Sequence, residues 1–345
     1  MARMSRPNWK TLVVIGGSLA LFGGFIYSLE WAEVWAALKR VHPLWVAAGS
    51  AFVILDYYAR AMRWGVVVHH FDPMAPAKVL WRGMTIGNAL NTVLPLRAGD
   101  LIRPMFVSLK RRIPLATVLS TVVVERLMDA FGVVAALGLI LLLIDSNGSA
   151  AAEAMGKVRE WGPEAVITSV VLLIAVLLLA SRRARFVAKA SLSWFGRPWR
   201  MRLYRVYLQL VEGLQPARVP SRFLGGLLWT AAVWVFTTLF ILAVMWSMDI
   251  TLPIAGALFA AVALTVAISL PQAPGFLGIF QVAMTEALVL WGVTRGESQA
   301  VALVLWAVYV LPITIVGVFH AWLEATDLTT IRNSMSEARQ QAKEK

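Results

Sequence analysis

Apolar stretches alternate with short polar ones along the chain. Many of the apolar stretches run for about twenty residues, the length a helix needs to cross a hydrocarbon core of roughly 30 Å. Six runs predict full transmembrane helices at about 9–29, 44–64, 115–144, 163–180, 223–248 and 298–323. Two other apolar stretches are too short or too broken to cross. The first, 79–94, stops at Pro95. The second is split into 253–270 and 276–292 by the sequence PQAPG, whose Pro271 and Pro274 deny the backbone a continuous helix. A short apolar piece that begins and ends among charges reads as a re-entrant helix, which dips into the membrane and returns. The pattern predicts an all-α polytopic membrane protein with six transmembrane helices and two re-entrant broken-helix hairpins.

The order of elements repeats. Shifted by about 180 residues, 44–144 falls on 223–323, with helix on helix and break on break. Charge places the two copies in opposite orientations, and inverted repeats with broken helices at matching positions point to a transporter whose site lies between them. Residue identities do not repeat: nothing in the second copy matches Glu125, Arg126 and Asp129.

Composition agrees with the pattern. A chain of 345 residues with 59% hydrophobic and 15% charged positions and a mean hydropathy of +0.72 is too apolar for a soluble globule, so 1–325 is expected to form one transmembrane domain. The net charge of +13 does not indicate nucleic acid, because the basic residues sit between apolar runs and no recognition motif accompanies them. Arg3, Arg6 and Lys10 precede the first run. Ten basic residues and a single acid, Glu212, occupy 182–222, and the polar tail 326–345 carries Arg332, Arg339, Lys343 and Lys345. By the excess of positive charge on cytoplasmic loops, both termini face the cytoplasm of a bacterial inner membrane. The first run is too long for a signal peptide and lacks a cleavage site before Glu30, so it is read as retained. Arg60 and Arg63 mark the return of 44–64 to the cytoplasm, and Arg97, Asp100, Arg103 and 110–112 are placed there too. Trp31 and Trp35 read as interfacial belt residues. Met201, Tyr204, Leu208 and Val211 recur at helical spacing opposite Arg202 and Arg205, which fits an interfacial helix on an anionic leaflet or a loop that sets topology. With no cysteine and four histidines without ligand spacing, no metal or other cofactor is expected.

Candidate chemistry concentrates at 88–129. Asn88, Asn91, Pro95, Arg97, Asp100, Arg103, Glu125, Arg126 and Asp129 all fall among apolar sequence, where each charge costs roughly 2.5–3.5 kcal/mol unless protein or water encloses it. Glu125 and Asp129, at i and i+4, share a helix face. Arg97, Arg103 and Arg126 are candidates to grip a phosphate, since guanidinium forks pair with it bidentately. Asp100, Glu125 and Asp129 would balance them, or bind a cationic headgroup or a proton. Asn88 and Asn91 can cap backbone groups freed at the break, while Gly275 and Gly278 allow close approach to a helix N-terminus that suits an anion. The alternative is structural: Glu125, Arg126 and Asp129 as packing salt bridges, Arg97 and Arg103 as snorkelling anchors, the asparagines as interhelical bonds.

Three motifs, N-x-x-x-P-x-R-x-G-[DE]-x-x-R at 91–103, E-R-x-x-D at 125–129 and P-x-x-P-G-x-x-G at 271–278, resemble those of the flippase-like membrane family that includes the transmembrane domain of lysylphosphatidylglycerol synthases. The resemblance spans about 10–325 and implies movement of a lipid or lipid-linked headgroup between leaflets. Asp100 stands where glutamate is more usual. Gln281 stands where the family often has an acid, which adds it to the candidate substrate contacts. No aminoacyl-transferase domain follows residue 325, so a synthase half is not expected. The chain is read as a lipid transporter rather than an enzyme, with membrane lipids as its partners and its oligomeric state open. The competing readings are a lipid-modifying membrane enzyme, for which no G-x-S-x-G or D-x-D signature is present, and a non-transporting partner of a lipid-synthesising enzyme.

Overall fold

A computed structural model describes residues 9–94, 97–143, 197–269 and 273–341, with isolated helical positions between 156 and 178. Pro95, Pro271 and nearly all of the run expected at 163–180 lie outside the described residues. Eleven helices are described: α1 (Trp9–Tyr27), α2 (Trp31–Lys39), α3 (Pro43–Val68), α4 (Ala77–Val93), α5 (Gly99–Arg111), α6 (Leu115–Leu143), α7 (Arg197–Gly213), α8 (Pro220–Ser247), α9 (Ile254–Ser269), α10 (Ile279–Val289) and α11 (Arg295–Gln341). Of these, α6, α8 and residues 295–325 of α11 are long and apolar enough to cross a bilayer by length and composition. The protein is an all-α polytopic membrane protein.

The centre is an antiparallel pair, α3 against α8. Arg222 at the start of α8 donates to Val66 O near the end of α3, Thr237 meets Asp56 halfway, and His42 N donates to Ser247 O at the other end. Proline in the first turn opens both helices, where its missing N–H costs nothing. The chain thus has a basic end, with Arg111, Arg218 and Arg222, and an opposite end formed by α2, residues 248–253 and the start of α11.

Two hairpins flank this pair. α4 runs alongside α11, with Arg82 on Glu324, Thr85 on His320 and Thr92 on Thr314, so it starts at the basic end and stops halfway. α5 returns to the same end, where Arg111 pairs with Asp72 at 2.6 Å. Gly99 makes this turn possible: a Cβ there would collide with Gly87 O, and only a bare backbone lets α4 and α5 approach so closely. α9 begins at the opposite end, with Leu258 against Ile140 of α6, and stops halfway, and α10 returns to that end.

The neighbour relations survive an exchange of α3, α4, α5 and α6 for α8, α9, α10 and α11. α4 packs on α11 as α9 packs on α6, and α3 packs on α6 as α8 packs on α11. Four of the seven left-handed backbone positions among the described residues follow the same exchange: Arg97 (φ 55°) and Phe276 (φ 62°) are 179 residues apart, Arg112 (φ 56°) and Gly292 (φ 83°) 180.

Several expectations need correction. α3 does not end at Trp64 but runs to Val68, so Arg63, 1% exposed, sits inside the protein rather than at a membrane surface. Arg97, Asp100 and Arg103 belong to the turn and first half of α5, halfway along the bundle, and only 110–112 reach the basic end. α7 turns Val211 towards α6, in a cluster with Leu214, Val124, Leu127 and Met128, but Met201 and Leu208 point away from it and are exposed. The tail after residue 325 continues α11 as helix to Gln341.

Candidate functional site

α3 carries Asp56, Arg60 and Arg63 at i, i+4 and i+7, a single stripe that starts against α8 at Asp56 and reaches α6 at Arg63. Asp56 is held by Arg60 Nε at 2.7 Å and by the Thr237 hydroxyl at 3.1 Å. Arg63 bridges two turns of α6, with Nη2 3.2 Å from Glu125 and Nη1 2.7 Å from Asp129. From α5, Arg103 closes on the same Glu125 at 2.7 Å, with its guanidinium 4.7 Å above the Trp64 ring. The Trp64 indole N–H donates to Thr121 at 2.9 Å. Arg63, Arg103 and Glu125 are all at least 95% buried, and charges so deep persist only when paired and hydrogen-bonded.

Above this buried layer lies a small cavity lined by Tyr57, Arg60, Asn88, Asn91, Arg97, Asp100, Arg103, Glu125, Arg126, Asp129 and, from α9, Thr265, Ile268 and Ser269. All eight residues expected to act between 88 and 129, apart from Pro95, meet there. Arg126 is the accessible member: its side chain is 44% exposed and pairs with Asp129 at 3.0 Å. Arg97 pairs with Asp100 at 3.2 Å and donates to Ile268 O at the end of α9, so it joins the tips of the two hairpins. A non-glycine residue with φ near +55° costs about 1–2 kcal/mol, and those two bonds hold Arg97 there.

The asparagines do not cap the break. Asn88 Oδ1 accepts from the Tyr57 hydroxyl at 2.6 Å, and Asn91 Nδ2 donates to Asp100 at 2.9 Å. Asn91 Oδ1 and the Nε atoms of Arg63, Arg97 and Arg103 are buried without a hydrogen-bond partner. Gly275, Gly278 and Gln281 stand apart from the cavity. Gln281 is fully buried and caps α10, its Oε1 accepting from Gly278 N at 2.8 Å, which satisfies a donor that an anion would have needed. Gly275 O accepts from Trp306 Nε1 at 2.6 Å.

Sequence reasoning missed Asp56, Tyr57, Arg60, Arg63 and Tyr309. The signal was present: three charges on one face in the middle of an apolar 26-residue helix.

Five guanidiniums (Arg60, Arg63, Arg97, Arg103, Arg126) and four carboxylates (Asp56, Asp100, Glu125, Asp129) line or underlie the cavity, a surplus of one positive charge in a space that is open on the Arg126 side. The open volume is about 50 Å³, room for water but not for a phosphate with its esters. The arrangement can attract an anion and must widen to admit one.

Comparison with known proteins agrees with this membrane-embedded architecture. The family described as the lysylphosphatidylglycerol synthase TM region matches residues 10–317. Glycosyltransferase AglD of Haloferax volcanii is 25% identical over 332 residues, 89% of this chain and 53% of that protein, so the chain spans about half that relative's length. No solved structure matches. With nearly its whole length matched, the chain belongs to the family of lysylphosphatidylglycerol synthase TM regions.

Proposed function

We propose that the protein moves an anionic lipid headgroup between membrane leaflets, without covalent chemistry of its own, by exposing the polar cavity alternately to each side. The observation that carries this reading is the surplus positive charge at mid-depth, between two hairpins that start from opposite ends. In a bilayer those hairpins are re-entrant, and the two halves are inverted repeats that rock about the α3–α8 pair. By the excess of arginine and lysine, the basic end faces the cytoplasm. A phosphodiester supplies the single negative charge that neutralises the site, and Arg126 and Arg97 are its first contacts, because Arg63 and Arg103 are committed to Glu125.

A second reading draws on the relative's name: the domain serves a glycosyl-transfer step, as part of an enzyme or beside one. The test is transport by purified protein in liposomes that carry fluorescent lipids of differing headgroup, read by an outer-leaflet quencher. Headgroup-selective movement that Arg126→Ala and Arg97→Ala abolish supports transport. Rates equal to protein-free liposomes for every lipid, with an ion gradient imposed, would sink it and favour the second reading.

A further inference from the structure

The exchange that relates the two halves gives five charged cavity residues an aromatic counterpart 179 or 180 residues later, while Arg103 and Glu125 fall on aliphatic positions. Arg60 corresponds to Phe240, Arg97 to Phe276, Asp100 to Phe280, Arg126 to Trp306 and Asp129 to Tyr309. Four of them form one cluster. The Tyr309 ring lies 5.9 Å from Phe240, 6.4 Å from Phe276 and 6.0 Å from Phe280, and 5.8 Å from Tyr57 on the cavity wall. All five rings are at least 95% buried. Trp306, the fifth counterpart, bonds the α9–α10 tip through Gly275 O.

The cluster's place along the bundle is fixed by the α3–α8 pair. Thr237 is level with Asp56, and Ala243 is level with Gly49. Phe240 therefore stands between these levels, on the side of Asp56 away from Arg60 and Arg63. The aromatic cluster thus begins where the charged cavity stops, towards the opposite end.

We propose that Phe240, Phe276, Phe280, Trp306 and Tyr309 are a gate that seals the cavity from the opposite end. This rests on the repeat reading above and adds the residues that close the far half. The two halves close by different physics. The cavity half is held by ion pairs, which an anion can exchange for its own contacts. The far half is held by ring packing and a few hydrogen bonds: Trp306 to Gly275 O, and a Tyr57 hydroxyl that donates to Asn88 and lies 3.0 Å from the Tyr309 hydroxyl. A headgroup has nothing to exchange with rings, so it cannot pass until α11 and the α9–α10 tip separate. The Tyr57–Tyr309 contact spans the seam between the halves and gives the gate a direct link to the cavity.

The chain contains no cysteine, so a single reporter at Ser269→Cys, on the cavity wall, can be read in the otherwise natural protein. Sealed vesicles of known protein orientation are exposed to a membrane-impermeant maleimide from either side. The parent should react from the side of the basic end alone. Trp306→Phe, which loses the bond to Gly275 O, should open a second route and raise labelling from the opposite side about tenfold, and Phe280→Ala, which leaves a ring-sized gap, should do so at least as strongly. Phe280→Leu, which keeps an apolar filler, should behave as the parent. A parent that reacts equally from both sides, or a stably folded Trp306→Phe that stays one-sided, overturns the gate. Labelling needs no lipid substrate, so its result is independent of whether transport is found.

Discussion

Glu125→Gln tests whether the buried layer beneath the cavity is built as described. Glu125 accepts from Arg103 Nη2 at 2.7 Å, Arg103 Nη1 at 3.3 Å and Arg63 Nη2 at 3.2 Å. It is 3% exposed, with Arg63 at 1% and Arg103 at 4%. Glutamine preserves the shape but turns an N–H₂ towards a guanidinium, leaving buried Arg103 without a carboxylate and Arg63 with Asp129 alone. Removing one partner of a buried pair costs about 3–5 kcal/mol, and at roughly 2–4 °C per kcal/mol the melting temperature should fall by about 6–20 °C. Fluorescence of the fifteen tryptophans during thermal unfolding in detergent reads this directly. The double variant Arg103→Gln/Glu125→Gln removes the matching charge, so it should recover part of the loss and give a coupling energy of a kcal/mol or more. If Glu125→Gln melts within a degree of the parent, or the double variant shows only the sum of the single losses, these groups do not act as one buried unit.

Other outcomes follow from the same contacts. Gly99→Ala drives a methyl group into Gly87 O and should destabilise the α4–α5 hairpin by about 1–3 kcal/mol or more; Gly83→Ala, where the nearest atom is a side-chain carbon at 3.2 Å, should cost less in the same unfolding assay. Gln281→Ala leaves Gly278 N–H unbonded in the interior and should cost about 1–3 kcal/mol, without moving the headgroup preference of any transport measured. The Arg111 hydrogen bond holds the Asp72 carboxyl below its ordinary value. A depressed folded pKa means that this contribution is present above the ordinary carboxylate pKa of about 3.9 and is lost as pH falls through the folded value. An acid titration of melting temperature should therefore show a low-pH loss that Asp72→Asn abolishes.

How much of this was legible in the sequence depended on whether a signal was local. The short apolar pieces, the positions of the breaks and the 180-residue shift of elements could be read because proline, glycine and run length act locally. The gathering of charge at 88–129 was readable because charge in an apolar setting is costly. The charges of α3 were assigned to the nearest aqueous edge, which misplaced Arg60 and Arg63: counting by run treats an arginine as a boundary, whereas its spacing from Asp56 showed one continuous face. The roles of Asn88, Asn91 and Gln281 could not be read, because their partners Tyr57, Asp100 and Gly278 are set by folding. Arg63 meets Glu125 across 62 residues of chain, and no pattern along the sequence announces such a pairing. The aromatic counterparts were in plain view but had no meaning until the exchange of helices showed which positions correspond.

The single surplus charge of the cavity has an electrical consequence. In the proposed transport cycle the empty site is positive by one unit, and the site carrying a phosphodiester is neutral. A loaded site that reorients moves no charge through the transmembrane field, while an empty site that reorients moves one. A unit charge across the full field is worth about 2.3 kcal/mol per 100 mV, scaled by the share of the field the site traverses. A membrane negative on the side of the basic end would pull the empty site back to that side after each delivery. Voltage alone, with neither nucleotide nor ion gradient, would then favour movement of anionic lipid away from the basic end.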